Sequence, residues 1–137
     1  MSSSDVIIKT FVQAASDGNE ETVLSLLNRN EVNVNDKYNN GNTALIYAAS
    51  NNHERIVSLL IDRGADINSK NNDGDTALIC AASYNYERIV SLLIDRGAEI
   101  NSKDNNGWTA LDLAKRRNYP NIISIIQQVN IYFVISY

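Results

Sequence analysis

A five-residue phrase that returns every 33 positions constrains this chain more than any other feature. It reads Gly41-Asn42-Thr43-Ala44-Leu45, then Gly74-Asp75-Thr76-Ala77-Leu78, then Gly107-Trp108-Thr109-Ala110-Leu111. Around it, residues 38–70 and 71–103 agree at 26 of 33 positions. The unit continues through 104–136. It also extends more faintly back through 5–37, where Glu21-Thr22-Val23-Leu24-Ser25-Leu26-Leu27 aligns with Glu54-Arg55-Ile56-Val57-Ser58-Leu59-Leu60. A unit this short cannot bury its apolar face alone, so four of them must stack and share one core.

Each unit reads as two helices. Thr43 caps a short one through Ala44, Leu45, Ala48 and Ala49, whose small side chains admit a close neighbour. Asn52, Asn85 and Asn118 fall where that helix ends, and Asn is the non-glycine residue best suited to a left-handed cap. The second helix carries Ile56, Val57, Leu59, Leu60 and Ile61 and stops at Gly64; a helix this apolar needs cover on more than one side. Pro120, the single proline, falls at the first position of that helix in the last unit, where its missing N–H costs nothing. From Ala65 to Lys70 the chain reads as extended, and Asn71-Asn72-Asp73-Gly74 then supplies the turn chemistry of a hairpin. Three turns, two helix ends at Gly64 and Gly97, and an interhelix turn at Gly18 account for all six glycines, leaving none to cradle a phosphate.

Composition removes several classes of function. The 137 residues, 44% hydrophobic, make one domain with a continuous core. A formal charge of -4 argues against a partner held through phosphates, so no nucleic acid is expected. Cys80 is the only cysteine and His53 the only histidine; neither a disulfide nor a zinc site can be assembled from them, so no metal and no cofactor are expected, in a reducing, cytoplasmic setting. Met1-Ser2-Ser3-Ser4-Asp5 lacks the basic stretch that precedes a secretory apolar segment, and no apolar run reaches the ~18–20 residues that span a bilayer. No membrane association is expected. Without paired carboxylates, metal ligands or a nucleophile beside a base, no enzymatic activity is expected either.

The 33-residue unit with two helices and a turn resembles the ankyrin repeat family. Thr43-Ala44-Leu45-Ile46-Tyr47-Ala48-Ala49 and Thr76-Ala77-Leu78-Ile79-Cys80-Ala81-Ala82 match part of its Thr-Pro-Leu-His-x-Ala signature, as do Ile56-Val57 and Gly64-Ala65-Asp66-Ile67-Asn68. Ala replaces the signature Pro at 44, 77 and 110, and its His becomes Ile46, Ile79 and Asp112, so a Thr–His hydrogen-bond network common in the family is missing. The resemblance implies an all-α repeat solenoid: a right-handed stack of helix pairs with projecting β-hairpin loops, forming one domain over 1–137. Within it, 5–37 is an N-terminal capping repeat, 38–70 and 71–103 are full repeats, 104–128 is a C-terminal repeat, and 129–137 is an apolar tail. It further implies a non-catalytic module that binds a protein partner on a concave surface made by hairpins and first helices. Asn68 and Asn101 match positions that are hydroxylated in the family, although a hydrogen bond in the interrepeat loop is the preferred reading. The abundance of Asn, Ile, Lys and Tyr resembles ankyrin proteins of large DNA viruses and intracellular parasites, which implies a host cytoplasm.

The near-copies differ at seven positions: Tyr38/Asn71, Asn40/Asp73, Asn42/Asp75, Tyr47/Cys80, Asn51/Tyr84, His53/Tyr86 and Asp66/Glu99. By the family's geometry, Asn40, Asn42, Asn51, Asp73, Asp75 and Tyr84 line the concave face, together with Ser83, Asn106, Trp108, Arg116 and Arg117. Divergence therefore falls where a partner would touch, although exposed positions also drift without one. Stacking turns equivalent positions into columns, one reading Asn42, Asp75, Trp108 and another Asn51, Tyr84, Arg117. Tyr84 and Trp108 are the expected anchors, because aromatic residues dominate interface energetics; the competing reading of Trp108 is a side chain lying on the preceding hairpin.

Lys37, Lys70 and Lys103 should form a rail with ~10 Å spacing, read as a solvated feature. Lys115-Arg116-Arg117 complements a helix dipole, and Asp62-Arg63 with Asp95-Arg96 are read as solubilising the outer face. Cys80 is expected to be a packed thiol and His53 a packing or surface residue. The first helix is expected from about Asp5 to Ser16. Residues 129–137 are β-prone, uncharged and apolar; they either fold back over the last helix pair, pair with another chain, or remain a loose terminus. A monomer is expected. The alternative is a self-associating structural protein that uses this tail.

Overall fold

The computed structural model describes the backbone of residues 1–136 and the side chains of residues 1–129. Among the described residues there are eight helices and no strand: α1 Ser3–Asp17, α2 Glu20–Asn28, α3 Ala44–Ser50, α4 Glu54–Asp62, α5 Ala77–Ser83, α6 Glu87–Asp95, α7 Ala110–Arg117 and α8 Pro120–Ser136. The odd-numbered helices pack in one row and the even-numbered helices in a second behind it. The chain is an all-α repeat solenoid.

The front row packs closely because its buried residues are small. Ala44, Ala48 and Ala49 of α3, Ala77, Ala81 and Ala82 of α5, and Ala110 and Ala114 of α7 are all fully enclosed. Behind them the larger side chains Ile56, Val57 and Leu60, then Ile89, Val90 and Leu93, then Ile122 and Ile126 fill the space between the rows. Phe11 and Val12 close this core at the α1 end. The layering follows from the apolar register of each unit repeating at 33.

Helix ends follow local chemistry. Thr43 and Thr76 are buried, and their hydroxyls accept the amide hydrogens of Ile46 and Ile79, each at 3.2 Å. In the last repeat Thr109 and Asp112 form a reciprocal pair. Asp112 N–H donates to Thr109 Oγ1 at 3.1 Å, and Thr109 N–H donates to Asp112 Oδ2 at 3.0 Å. Hydrogen bonds to the carboxylate from the Thr109 amide, and then from the Thr109 side chain, hold Asp112 below its ordinary value. Asn52, Asn85 and Asn118 end the front helices with φ of 64°, 63° and 58°.

Two sequence expectations are corrected. α1 begins at Ser3 rather than near Asp5, because Ser2 Oγ accepts Asp5 N–H at 3.1 Å and Asp5 Oδ2 in turn accepts Ser2 N–H at 3.3 Å. At the other end, the segment read as β-prone continues α8 without a break to Ser136. The helical ladder already running from Pro120 satisfies its backbone locally, which outweighs the strand propensity of its side chains. Whether those side chains cover the last helix pair or meet another chain lies outside the described residues.

Each of the three repeats after the first opens on a tight turn rather than a strand pair. Asn71 N–H donates to Asp75 O at 3.0 Å and Asp104 N–H to Trp108 O at 2.9 Å. Asn71 Oδ1 accepts the amides of Asp73 and Asp75, and Asp104 Oδ1 accepts those of Asn106 and Trp108, at 2.9 to 3.0 Å. Tyr38 stands at this position in the preceding unit and has no such oxygen. Its turn closes instead through a Tyr38–Asn42 bridge with Asn39 and Asn40 both at positive φ. Successive turns are stitched edge to edge: Asn72 N–H donates to Asn40 O at 2.9 Å, and Asn105 N–H to Asp73 O at 3.0 Å.

Candidate functional site

A groove of about 610 Å³ runs along the front of the stack, between the turns and the front helices. The turns contribute Asn40, Asn42, Asn71, Asp73, Asp75 and Asp104 to one wall. Tyr47, Cys80 and Leu113, equivalent positions of α3, α5 and α7, contribute to the helical side. Beyond them lie Asn51, Ser83, Tyr84 and Arg117. The groove thus brings together Asn40, Asn42, Asn51, Asp73, Asp75, Ser83, Tyr84 and Arg117, eight of the positions named from the sequence.

Three named positions do not line it. Asn106 is exposed at the tip of the last turn, its amide bound to Asp104 Oδ1 at 2.9 Å. Trp108 is half-buried, and the Arg116 guanidinium sits 5.0 Å from its ring centroid. Trp108 occupies the same column as Asn42 and Asp75. Among the described residues no turn follows its own to extend the wall past it. Arg116 is drawn out of the groove by the same stacking.

The exposed column is held in place by neighbouring repeats. Asn51 Nδ2 donates to Ser16 Oγ at 3.2 Å and to Tyr47 O at 2.8 Å. Arg117 Nη1 donates to Ser83 O at 3.0 Å. Tyr84 keeps 55% of its surface exposed, and its ring stacks on Tyr86 at a centroid distance of 5.8 Å. The counterpart of Tyr86 is His53, whose Nε2 lies 2.8 Å from Ser16 O and whose ring packs over Gly18.

Charge in the groove is uneven. Burial, and then the neighbouring Asp104 and Asp73, push the Asp75 carboxyl above its ordinary value. Burial also pushes the Cys80 thiol up to about 11, so it stays protonated and lacks nucleophilic character. Among the described residues no group of three His, Cys, Asp or Glu side chains is placed to hold a metal. No helix there is long and apolar enough to cross a membrane.

Sequence reasoning missed the groove's Tyr47, Ser50, Asn71 and Asp104. Tyr47 and Asn71 are among the diverged positions, and reading every 33-residue column would have added Ser50 and Asp104. It also missed that Lys37 and Lys70 are structural: their Nζ atoms donate to Lys70 O at 2.9 Å and to Lys103 O at 2.7 Å. The outer face is likewise cross-linked between repeats, through Arg55–Glu20 at 3.4 Å, Arg88–Glu54 at 3.3 Å and an Arg96–Asp62 pair. Asn68 Oδ1 accepts Glu99 N–H at 2.9 Å, a bond that reaches across to the next repeat.

A family model described as Ankyrin repeats (3 copies) matches residues 11–104 and 71–133. No curated protein matches the chain.

Proposed function

The chain belongs to the ankyrin repeat family, and from that premise we propose that it is a non-catalytic adaptor that docks a protein partner along the concave groove. The observation that carries this reading is the pairing of a 610 Å³ groove lined by residues of all four repeats with a large, exposed and pre-oriented aromatic ring, Tyr84, at its edge. An exposed tyrosine held by a stacking neighbour loses little conformational freedom on binding, so its apolar area is available for affinity. The groove's protonated thiol and its absence of a nucleophile–base pair favour binding over turnover. A cytoplasmic setting fits the single reduced cysteine.

The test is capture from a lysate with the wild-type chain, an Asp75→Ala/Tyr84→Ala variant and a Trp108→Ala variant, all three with matched thermal melts. A prey lost from the double variant and retained by Trp108→Ala supports docking in the groove. Equal recovery by the double variant removes the groove from the function. Loss from Trp108→Ala alone moves the interface to the outside of the last turn.

A further inference from the structure

Resting on the reading that the groove is the docking surface, we infer that its occupant is basic: an extended lysine- or arginine-bearing stretch of the partner protein. The cation enters among Asp73, Asp75 and Asp104, and the apolar stem beside it covers Tyr84.

The repeats supply their own control for this assignment. In the joint between the first and second turns the equivalent positions are Asn40, Asn42 and Asn71, all neutral. There Asn71 Nδ2 donates to Asn42 Oδ1 at 2.9 Å. One repeat on, the same joint carries Asp75 and Asp104, two carboxylates that cannot make that bond when ionised. Nor does turn formation require the charge. Asp104 Oδ1 binds two turn amides, and Asn71 Oδ1 does the same work in the turn before. Asp73 Oδ2 accepts from Asn40 Nδ2 at 2.8 Å, a bond an amide oxygen accepts equally well. The three negative charges are therefore surplus to folding; burial first, and then repulsion from Asp104 and Asp73, raise the Asp75 carboxyl.

The groove has little positive charge of its own to offset them. Arg117, the cation that lines it, is turned onto Ser83 O at 3.0 Å. A concave wall of one sign concentrates its field on an incoming opposite charge. The Tyr84 ring, 55% exposed and stacked on Tyr86, offers a flat face of the kind on which the stems of lysine and arginine pack. An acidic wall beside an exposed aromatic face selects a basic segment over an acidic or purely apolar one.

The test is selection of a random dodecapeptide display library on the full chain. Individual clones are then titrated against wild type, Asp73→Asn/Asp75→Asn/Asp104→Asn and Tyr84→Ala. The asparagines are residues that the preceding joint already carries at these positions, so the triple variant should keep the fold, checked by its melt. The expected result is enrichment of Lys and Arg over the starting library. Affinity should fall at least about tenfold in the triple variant and weaken with added salt. Clones without basic enrichment that lose binding to Tyr84→Ala overturn the basic occupant and leave groove docking standing. Clones indifferent to both variants, or a selection yielding no binder, overturn both.

Discussion

Lys70 reaches across one full repeat to place its Nζ 2.7 Å from the main-chain oxygen of Lys103. Lys37 does the same to Lys70 at 2.9 Å. A rail of like charges is thereby a row of charge-assisted hydrogen bonds, each joining a repeat to its successor. Lys70→Met keeps the aliphatic stem and removes the donor. It should lower stability by about 1 kcal/mol in urea unfolding, the net worth of one such bond at an exposed site. A variant as stable as wild type would show that the bond contributes nothing.

Gly74 and Gly107 hold the same place in successive turns, at φ of 78° and 83°. A methyl group on Gly107 meets nothing within 4 Å, whereas on Gly74 it would lie 2.8 Å from the backbone nitrogen of Asn105. Both alanine variants carry the left-handed strain of about 1 kcal/mol. Gly74→Ala should be the more destabilising, because the next turn must also move away. Equal thermal melts for the two would refute the close approach of the turns.

Asp75 binds its proton more tightly in the folded chain than in the unfolded one, where its ordinary value is 3.8. Ionising it therefore costs stability as pH rises through the folded value, and the cost is absent below 3.8. Asp75→Asn should accordingly be more stable than wild type at pH 7, by a margin that solvent screening at this half-exposed site keeps small. The gap should close on acidification. Denaturant titrations from pH 7 down to pH 3 measure it, and a gap independent of pH would contradict the assigned burial and repulsion.

Cys80 should resist alkylation. With its thiol pushed up to about 11, iodoacetamide at pH 8 meets almost no thiolate in the folded protein. Modification in urea should be faster by an order of magnitude or more, as mass spectrometry of timed aliquots would show. Comparable rates in the two conditions would place the thiol in an ionising environment.

Much of this architecture could be read from the 33-residue period, because stacking makes every local signal recur at a fixed offset. The threonine caps, the left-handed asparagines and Pro120 at the start of α8 are short-range effects of residue type. They act the same way wherever the stack places them. The lysine rail was misread for a reason that is equally physical: its acceptor is a backbone oxygen, which every residue possesses and no sequence marks. Arg117 on Ser83 O is hidden in the same way. Trp108 was assigned to the groove by column, and the column is right. What the column does not convey is the Arg116 guanidinium 5.0 Å from the Trp108 ring centroid, both residues lying outside the groove lining. The chain beyond Gln128 was judged by side-chain propensity, whereas its backbone follows the helix already begun at Pro120.

The side-chain hydrogen bonds that join one described repeat to the next span 29 to 37 positions along the chain. None ties distant parts of the chain across the stack. A pull on the two ends would therefore load the joints in series, like links in a chain, and the weakest would part first. The carboxylate joint between the second and third turns lacks the Asn71–Asn42 bond of the joint before it and should part early. A charged segment seated there would act as a clasp, raising the tension that the stack bears before it begins to pay out.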